Sequence, residues 1–263
     1  MPSYTDQLKR TIAVNKPKRI ISLVPSQTEL LFDLGLEAEV IGITKFCVHP
    51  EKWFRQKQRI GGTKNVSIEK IKSLNPDLII ANKEENVREQ VEELAMRFPV
   101  WTSDVNTLNE AFRMIEDIGE LVQKKEKAKE LITQIRSKFG QLRLPKNIAK
   151  AAYLIWKDPY MTAGGDTFIN DMLSHAGFKN ACNDKRRYPL ITIEELRKTD
   201  CELLFLSSEP YPFKQFHMEE LQQHLPQTKI CLVDGEMFSW YGSRLLHAPA
   251  YFESLHHQIN AKV

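Results

Sequence analysis

The stretch "RIISLVPSQTELLFDLGL", Arg19–Leu36, joins a short β-branched strand to an amphipathic helix. Pro25 ends the strand, because it cannot donate to a sheet ladder, and Gly35 ends the helix. Ser26 and Glu29, three residues apart, predict a capping box at the helix start. Free N–H groups collect at a helix start, and in open α/β sheets ligands bind beyond the strand ends. The turn is therefore either a plain capped helix start or the edge of a binding site.

A second pattern occurs twice and indicates an internal repeat. The copies are "VSIEKIKSLNPDLIIAN", Val66–Asn82, and "ITIEELRKTDCELLFLS", Ile191–Ser207. Each runs from a hydroxyl residue through a glutamate two positions later, a short amphipathic helix and a polar turn to an apolar strand. The hydroxyl residue and the glutamate are Ser67 and Glu69 in the first copy and Thr192 and Glu194 in the second. The shared order and spacing indicate a duplicated unit.

The opening pattern also recurs in the second half of the chain. A strand, "AKAAYLIWK", is followed by "GGDTFINDMLSHAGF", a helix that Asp166 or Thr167 caps and that ends at Gly177. Alternating strand and helix signals predict parallel sheets with helices on both faces. We therefore expect an α/β fold with two Rossmann-like lobes.

The segment Thr107–Leu142 connects the two halves and keeps helical periodicity throughout. It contains no proline, and Gly119 is the point where a long helix could bend. The favoured interpretation is one long connecting helix; the alternative is two consecutive helices joined near Lys124. The predicted organisation is an N-terminal α/β lobe over 1–106, the connecting helix over 107–142 and a C-terminal α/β lobe over 143–263.

Composition narrows the possible functions. The chain has 263 residues, 42% of them hydrophobic and 27% charged, which is ordinary for a soluble globular protein. A net charge of +3 is too small to indicate a nucleic-acid partner. The four cysteines are far apart with no CxxC pair, and Cys201 and Cys231 lie in apolar runs typical of buried thiols. The sequence carries no signal-peptide or transmembrane pattern, so as given the chain would stay where it is made.

Four stretches together resemble one protein family. They are "PKRIISLVPSQTELLFDLGL", "VIGITKFCVHPEKW", "IGGTKNVSIEKIKSLNPDLIIAN" and "MTAGGDTFINDMLSHAGFKN". With the two lobes and the connecting helix, they resemble the helical-backbone (class III) periplasmic substrate-binding proteins of ABC importers. These proteins take up cobalamin, haem and iron–siderophores, and the pattern is most similar to the cobalamin-binding branch. The resemblance covers nearly the whole chain.

The resemblance implies a mechanism and a location. A cobalamin-like corrinoid or a related metal chelate would be held in a cleft between the lobes and delivered to a membrane permease, with little hinge motion. The family works in the periplasm, although without a signal peptide a cytoplasmic location stays open. In the family one glutamate on each lobe docks onto the permease, and here these would be Glu69 and Glu194. The alternative is that both glutamates only favour the positive ends of their helices.

Loops after the predicted strands supply the candidate ligand contacts. Aromatic rings concentrate there, and flat rings suit a large planar ligand. Arg244 could pair with an acidic group of the ligand, or form a salt bridge within the second lobe. Two first-lobe positions that carry tryptophan in the cobalamin-binding branch are Thr63 and Asn82 here, which predicts a wider or more polar pocket on that side and leaves a different ligand open. The candidates are Pro25, Ser26, Gln27, Phe46, Trp156, Tyr160, Met161, Phe238, Trp240, Tyr241 and Arg244.

Two other classes of function are alternatives to a binding protein: an enzyme and a sensor. A chelatase-like enzyme is disfavoured because catalytic motifs are missing and because Cys47 and His49, close together on one loop, rarely reach catalytic geometry. A cytoplasmic corrinoid or tetrapyrrole sensor would not need the matched pair Glu69 and Glu194. We therefore expect no catalytic residue, no protein-bound metal, no cofactor and no nucleic-acid partner, and we expect a monomer.

Overall fold

The computed structural model describes residues 1–145 and 148–260. By internal contacts the chain forms two compact units. The first unit comprises residues 1–105, 109–135 and 241–244, and the second comprises residues 106–108, 136–240 and 245 onward. Within the described residues, no helix combines the length and the apolar character needed to cross a bilayer.

The first unit is built on a five-stranded parallel sheet. Its strands are β3 (Ile20–Ser22), β4 (Val40–Ile43), β5 (Gln58–Arg59), β6 (Leu78–Asn82) and β7 (Val100–Ser103), in the order β5-β4-β3-β6-β7. An antiparallel hairpin, β1 (Ser3–Thr5) and β2 (Thr11–Ala13), precedes the sheet. The helices between the strands are α1 (Pro25–Asp33), α2 (Glu51–Gln56), α3 (Ile68–Leu74) and α4 (Arg88–Ala95).

The second unit repeats this plan. Strands β8 (Ala149–Trp156), β10 (Phe178–Asn180), β11 (Leu203–Ser207) and β12 (Lys229–Val233) pair in parallel in the order β10-β8-β11-β12, and β9 (Met161–Thr162) lies antiparallel to β8. The helices that follow β8 in the chain are α7 (Phe168–His175), α8 (Ile193–Lys198), α9 (Gln215–His224), α10 (Glu236–Ser239), a short 3₁₀ helix (Ser243–Leu246) and α11 (Ala248–Asn260). Helices α5 (Leu108–Leu121) and α6 (Lys125–Gln141) lie between β7 and β8.

The predicted fold class is confirmed, and the predicted repeat appears as equivalent sheet positions. The order β4-β3-β6-β7 in the first unit corresponds to β10-β8-β11-β12 in the second. The central strands β3, β6 and β11 are buried along their whole length, as expected for parallel strands covered on both faces. The sequence repeat therefore encodes one βαβ arrangement that is used twice.

The single connecting helix was a wrong prediction. The segment forms two helices, α5 (Leu108–Leu121) and α6 (Lys125–Gln141). Helix α5 ends in a Schellman turn, in which the N–H of Lys124 donates to the carbonyl of Gly119 (2.6 Å) and that of Gln123 to the carbonyl of Glu120 (3.1 Å). Gln123 takes the left-handed conformation (φ 58°) that glycine usually supplies. Because glutamine stands there and the apolar period continues beyond it, the sequence gives no stop signal.

The predicted capping box at α1 was also wrong. The residue that caps α1 is Val24, whose side chain accepts no hydrogen bond, and Pro25 opens the helix. A proline at this position has no N–H that would need a partner, so a polar cap is less needed. Ser26 lies buried inside the first turn. Gly35 does end the helix as predicted, in the left-handed region (φ 83°).

The cap of α7 and the state of the cysteines follow the sequence more closely. Thr167 caps α7, and its hydroxyl accepts from the N–H of Asn170 at 3.2 Å. All four cysteines are free thiols; Cys201 is buried and Cys231 is half-buried.

Candidate functional site

The carboxyl edge of the sheet in the first unit carries the predicted residues Pro25, Ser26 and Gln27, all in the first turn of α1. Pro25 is half-buried, Ser26 is buried, and Gln27 is fully buried. The amide nitrogen of Gln27 donates to the hydroxyl of Ser103 at the end of β7. The side chain of Gln27 therefore points into the interior of the unit and is hydrogen-bonded there.

Ser103 belongs to a buried network of amides at this edge. Asn82, at the end of β6, donates to the hydroxyl of Ser103 (3.0 Å). Asn86 donates to the backbone carbonyls of Leu23 (3.2 Å) and Thr63 (3.1 Å) and accepts from the N–H of Asn82 (2.9 Å). The two positions expected to carry tryptophan in the cobalamin-binding branch, Thr63 and Asn82, are thus part of a polar interior. No signal in a single sequence marks such a network in advance.

A second buried cluster fixes the loop after β4. The thiol of Cys47 lies 3.1 Å from the hydroxyls of both Thr28 and Thr44. Burial raises the pKa of this thiol, so Cys47 is not an activated nucleophile. Its neighbour Phe46 points outward and is 51% exposed, with its ring against Gly62. The loop therefore presents Phe46 as an exposed aromatic surface, as the sequence prediction requires.

Arg244 is paired with a carboxylate of the same unit. Its Nε lies 3.0 Å and its Nη2 2.6 Å from the two carboxylate oxygens of Glu29 on α1. Their side chains are only 13% and 16% exposed. Burial raises the pKa of Glu29, although the guanidinium of Arg244 opposes this shift. The predicted alternative to ligand binding was a salt bridge within the second lobe. Arg244 does form a salt bridge, but its partner, Glu29, lies in the first unit.

In the second unit, three predicted residues lie where β8 ends and β9 begins. Trp156 is 40% exposed, and its ring meets that of Tyr211 edge-on at 5.6 Å between centroids. Tyr160 and Met161 are half-buried. Next to Met161 lies Leu190, which is 60% exposed and bridges to it through the backbone. Tyr211 and Leu190 extend this apolar surface and are missing from the predicted candidates.

The aromatic run near the C-terminus is more buried than predicted. Phe238 has no exposed surface and packs against Tyr153 (5.3 Å between ring centroids) and Phe252 (5.0 Å). The prediction that Phe238 lies in a ligand-facing loop was therefore wrong: it belongs to helix α10 and to the core. Trp240 and Tyr241 are each 6% exposed.

Trp240 is held by a polar contact as well as by packing. Its indole N–H donates to the carboxylate of Glu209 at 2.7 Å, and the hydroxyl of Ser239 donates to the same oxygen at 2.7 Å. A buried indole needs such a partner. Any role of Trp240 and Tyr241 in ligand binding stays a prediction, as it does for the other candidate residues.

The two repeated glutamates occupy matched, exposed positions. Glu69 and Glu194 are each the second residue of their helix, after the cap residues Ser67 and Thr192. The side chain of Glu69 is 85% exposed and pairs with Lys72 at 2.9 Å. That hydrogen bond lowers the pKa of Glu69. In α8 the capping box is completed by the following residue, Glu195, so Glu194 takes no part in it.

Comparison with known proteins identifies the family of the chain. A model described as "Periplasmic binding protein" matches residues 20–228, which is most of the chain. The chain belongs to the periplasmic binding protein family. In this periplasmic binding protein, the matched region includes both copies of the sequence repeat.

Curated relatives differ in how much of their length is matched. An uncharacterised ABC transporter substrate-binding lipoprotein, YvrC of Bacillus subtilis, is 29% identical over 73% of this chain and 65% of its own. The chain thus spans just under two thirds of that relative. The vitamin B12-binding protein of Photorhabdus laumondii is 26% identical over 93% of this chain and 88% of its own. Both relatives are named as binding proteins.

Solved structures agree with the fold. The apo haem-binding protein RhuT of Roseiflexus superposes with a TM-score of 0.79 at 21% identity, covering 91% of this chain and 98% of that one. The vitamin B12-binding protein BtuF of Vibrio cholerae superposes with a TM-score of 0.74 at 20% identity, covering 94% of this chain and 99% of that one. At these identities the likeness shows the fold of this periplasmic binding protein.

Within residues 1–145 and 148–260, no cluster of three or more His, Cys, Asp or Glu side chains could hold a metal ion. The expectation that the protein binds no resident metal or cofactor stays a prediction.

Proposed function

We propose that this chain is the substrate-binding component of an ABC importer and that it carries a corrinoid or a related metal chelate, haem or a ferric siderophore, to a membrane permease. The observation that carries the proposal is the family match over residues 20–228. It is supported by relatives named as vitamin B12-binding proteins and by neighbours named for haem and Fe³⁺-hydroxamate. On this proposal the protein works outside the cytoplasmic membrane, as a monomer and without catalysis.

The exposed rings at the two sheet edges are the proposed ligand contacts. Phe46 in the first unit and Trp156 in the second are the predicted aromatic residues with the most exposed surface. An aromatic face gains free energy from covering a planar macrocycle, because apolar area on both partners leaves water. The buried residues Gln27 and Phe238 would act by supporting these surfaces.

A titration tests ligand class and contacts together. The purified protein is titrated with cobalamin, cobinamide, haem and a ferric hydroxamate, and both absorbance and tryptophan fluorescence are followed. Trp156→Ala should weaken binding by about 1–3 kcal/mol, the scale of one lost aromatic contact. Phe216→Ala is the matched control, because Phe216 is a 57% exposed ring on α9 of the same unit. Absence of binding to all four ligands would contradict the proposed substrate class.

Docking is tested separately by charge reversal. Glu69→Arg combined with Glu194→Arg should abolish uptake and leave ligand affinity unchanged, since like charges across an interface cost several kcal/mol. The control pair is Glu89→Arg with Glu219→Arg, which reverses two other exposed helix carboxylates. Uptake is measured in cells that carry the cognate permease. Normal uptake by the first double variant would remove the docking role and favour a soluble corrinoid sensor.

A further inference from the structure

Residues 241–244 form a short segment of the first unit whose neighbours on both sides belong to the second. Trp240 and Leu245 are assigned to the second unit, while the four residues between them group with the first. These four residues are separated in sequence from the rest of the first unit by more than a hundred residues. We therefore expect specific contacts between these four residues and the rest of the first unit.

Close backbone packing supplies one part of the attachment. Gly242 has a φ of 120°, a conformation that disfavours residues with a side chain. A Cβ placed on Gly242 would lie 3.2 Å from the carbonyl oxygen of Ser26 and 3.4 Å from Cβ of Leu30. The backbone of the segment thus lies directly against the first turns of α1.

The ion pair between Arg244 and Glu29 supplies the other part. It is bidentate, at 3.0 Å and 2.6 Å, and both side chains are largely buried. A buried ion pair adds little net stability compared with an apolar pair of the same size, but loss of one partner leaves a buried charge uncompensated. Its planar two-bond geometry fixes one orientation. Such a pair therefore fixes where the two segments lie relative to each other more than it adds to the stability of the fold.

Both ends of this contact lie beside predicted ligand-binding residues. Glu29 follows Pro25, Ser26 and Gln27 on α1, and Arg244 follows Tyr241 in the segment. We propose that Glu29 and Arg244 are a positioning pair: an ion-pair clasp, completed by Gly242, that holds segment 241–244 on α1 and keeps the predicted site residues beside it in place. In this role Arg244 serves the protein and not an acidic group of the ligand. The proposal rests on the proposed function only for its effect on ligand affinity.

Hydrogen–deuterium exchange on the ligand-free protein tests the clasp without any ligand. Glu29→Gln and Arg244→Gln should each raise amide exchange in residues 241–244 at least several-fold, and the charge swap Glu29→Arg with Arg244→Glu should restore part of the protection. Lys83→Gln is the control, because it breaks an exposed ion pair with Asp104 in the same unit. Unchanged exchange in both single variants would overturn the clasp. Far-UV circular dichroism verifies that each variant is folded, and Gly242→Ala offers a second way to open the contact.

Ligand kinetics then separate positioning from direct contact. If the pair positions the site, both single variants should speed dissociation of the ligand found by titration by about tenfold to a hundredfold, and the swap should recover part of this loss. If Arg244 contacts the ligand itself, only Arg244→Gln should lose affinity and the swap should not recover it, which would contradict the proposal. Should none of the titrated chelates bind, the exchange experiment still decides on the clasp.

Discussion

The two sheets share one strand order, but the buried side-chain clusters that pack against them differ in chemistry. In the first unit the carboxyl edge of the sheet is filled by buried amides and hydroxyls, centred on Asn82, Asn86 and Ser103. In the second unit aromatic rings pack against the middle of the sheet, with Tyr153 of β8, Phe205 of β11 and Phe238 of α10 in contact with one another. The duplicated strand order therefore determines where the elements lie but not which side chains pack against them.

The buried amide network and the packed rings are expected to lose stability in different ways when one member is mutated. A packed ring loses free energy in proportion to the volume removed, because the cavity collapses only in part. A satisfied amide network contributes little net free energy, yet each buried group left without its partner costs the full desolvation penalty. Substitutions that remove one member of each cluster can thus measure how differently the two clusters contribute to stability.

The largest effect is expected in the aromatic cluster of the second unit. Phe238→Ala should lower the free energy of unfolding by about 3–5 kcal/mol, because the side chain is fully buried among other rings. Urea unfolding followed by circular dichroism measures the change. Trp156→Ala, which truncates a ring that is 40% exposed, should cost clearly less. Equal costs for the two substitutions would mean that the burial of Phe238 is not what stabilises this cluster.

A smaller effect is expected in the polar edge. Asn86→Ala should cost about 1–3 kcal/mol, since the carbonyls of Leu23 and Thr63 lose their donor. Asn86→Asp keeps the acceptor for the N–H of Asn82 but removes both donated bonds, so it should recover little at neutral pH. The same urea experiment applies. Full stability of the alanine variant would show that water replaces the amide, and that the network is not a buried one.

The smallest effect compares the two copies of the repeat directly. Thr192 caps α8 through a complete capping box, whereas the side chain of Ser67 makes no capping hydrogen bond at α3. Thr192→Ala should therefore cost about 1 kcal/mol and Ser67→Ala distinctly less. Thermal unfolding of the two variants side by side measures the difference. Equal losses would mean that the two caps are equivalent in solution.

Local signals accounted for the repeating elements of the fold. The apolar runs at β6 and β11 and the hydroxyl-x-glutamate helix starts were readable because strand and helix periods and caps act over a few residues. The same signals failed at the connecting helices, where Gln123 takes a conformation that its identity does not announce. They also failed at α1, where a capping box was read from spacing alone although Pro25 had already removed part of the need for a cap.

The candidate site was predictable in place but not in orientation. Residues near the strand ends were expected at the sheet edges; Gln27 and Trp156 lie at such positions, whereas Phe238 lies in the core. Which of them face outward depended on partners that are distant in sequence, such as Ser103 for Gln27 and Tyr153 for Phe238. The exposed ring of Trp156 and the buried ring of Trp240 were not distinguished from sequence, because a contact that fixes Trp240, its hydrogen bond to Glu209, comes from a distant part of the chain.

The sequence by itself determined the α/β class, the duplication and the family, because each rests on patterns of period, turn chemistry and motif order that lie within short stretches of chain. Only the tertiary structure decided that Arg244 pairs with Glu29, 215 residues away, and that buried amides meet at the edge of the first sheet while aromatic rings pack against the second. The physical reason is that hydrogen bonding, desolvation and packing depend on which side chains meet in space, and residues that meet after folding leave no shared local pattern in the sequence.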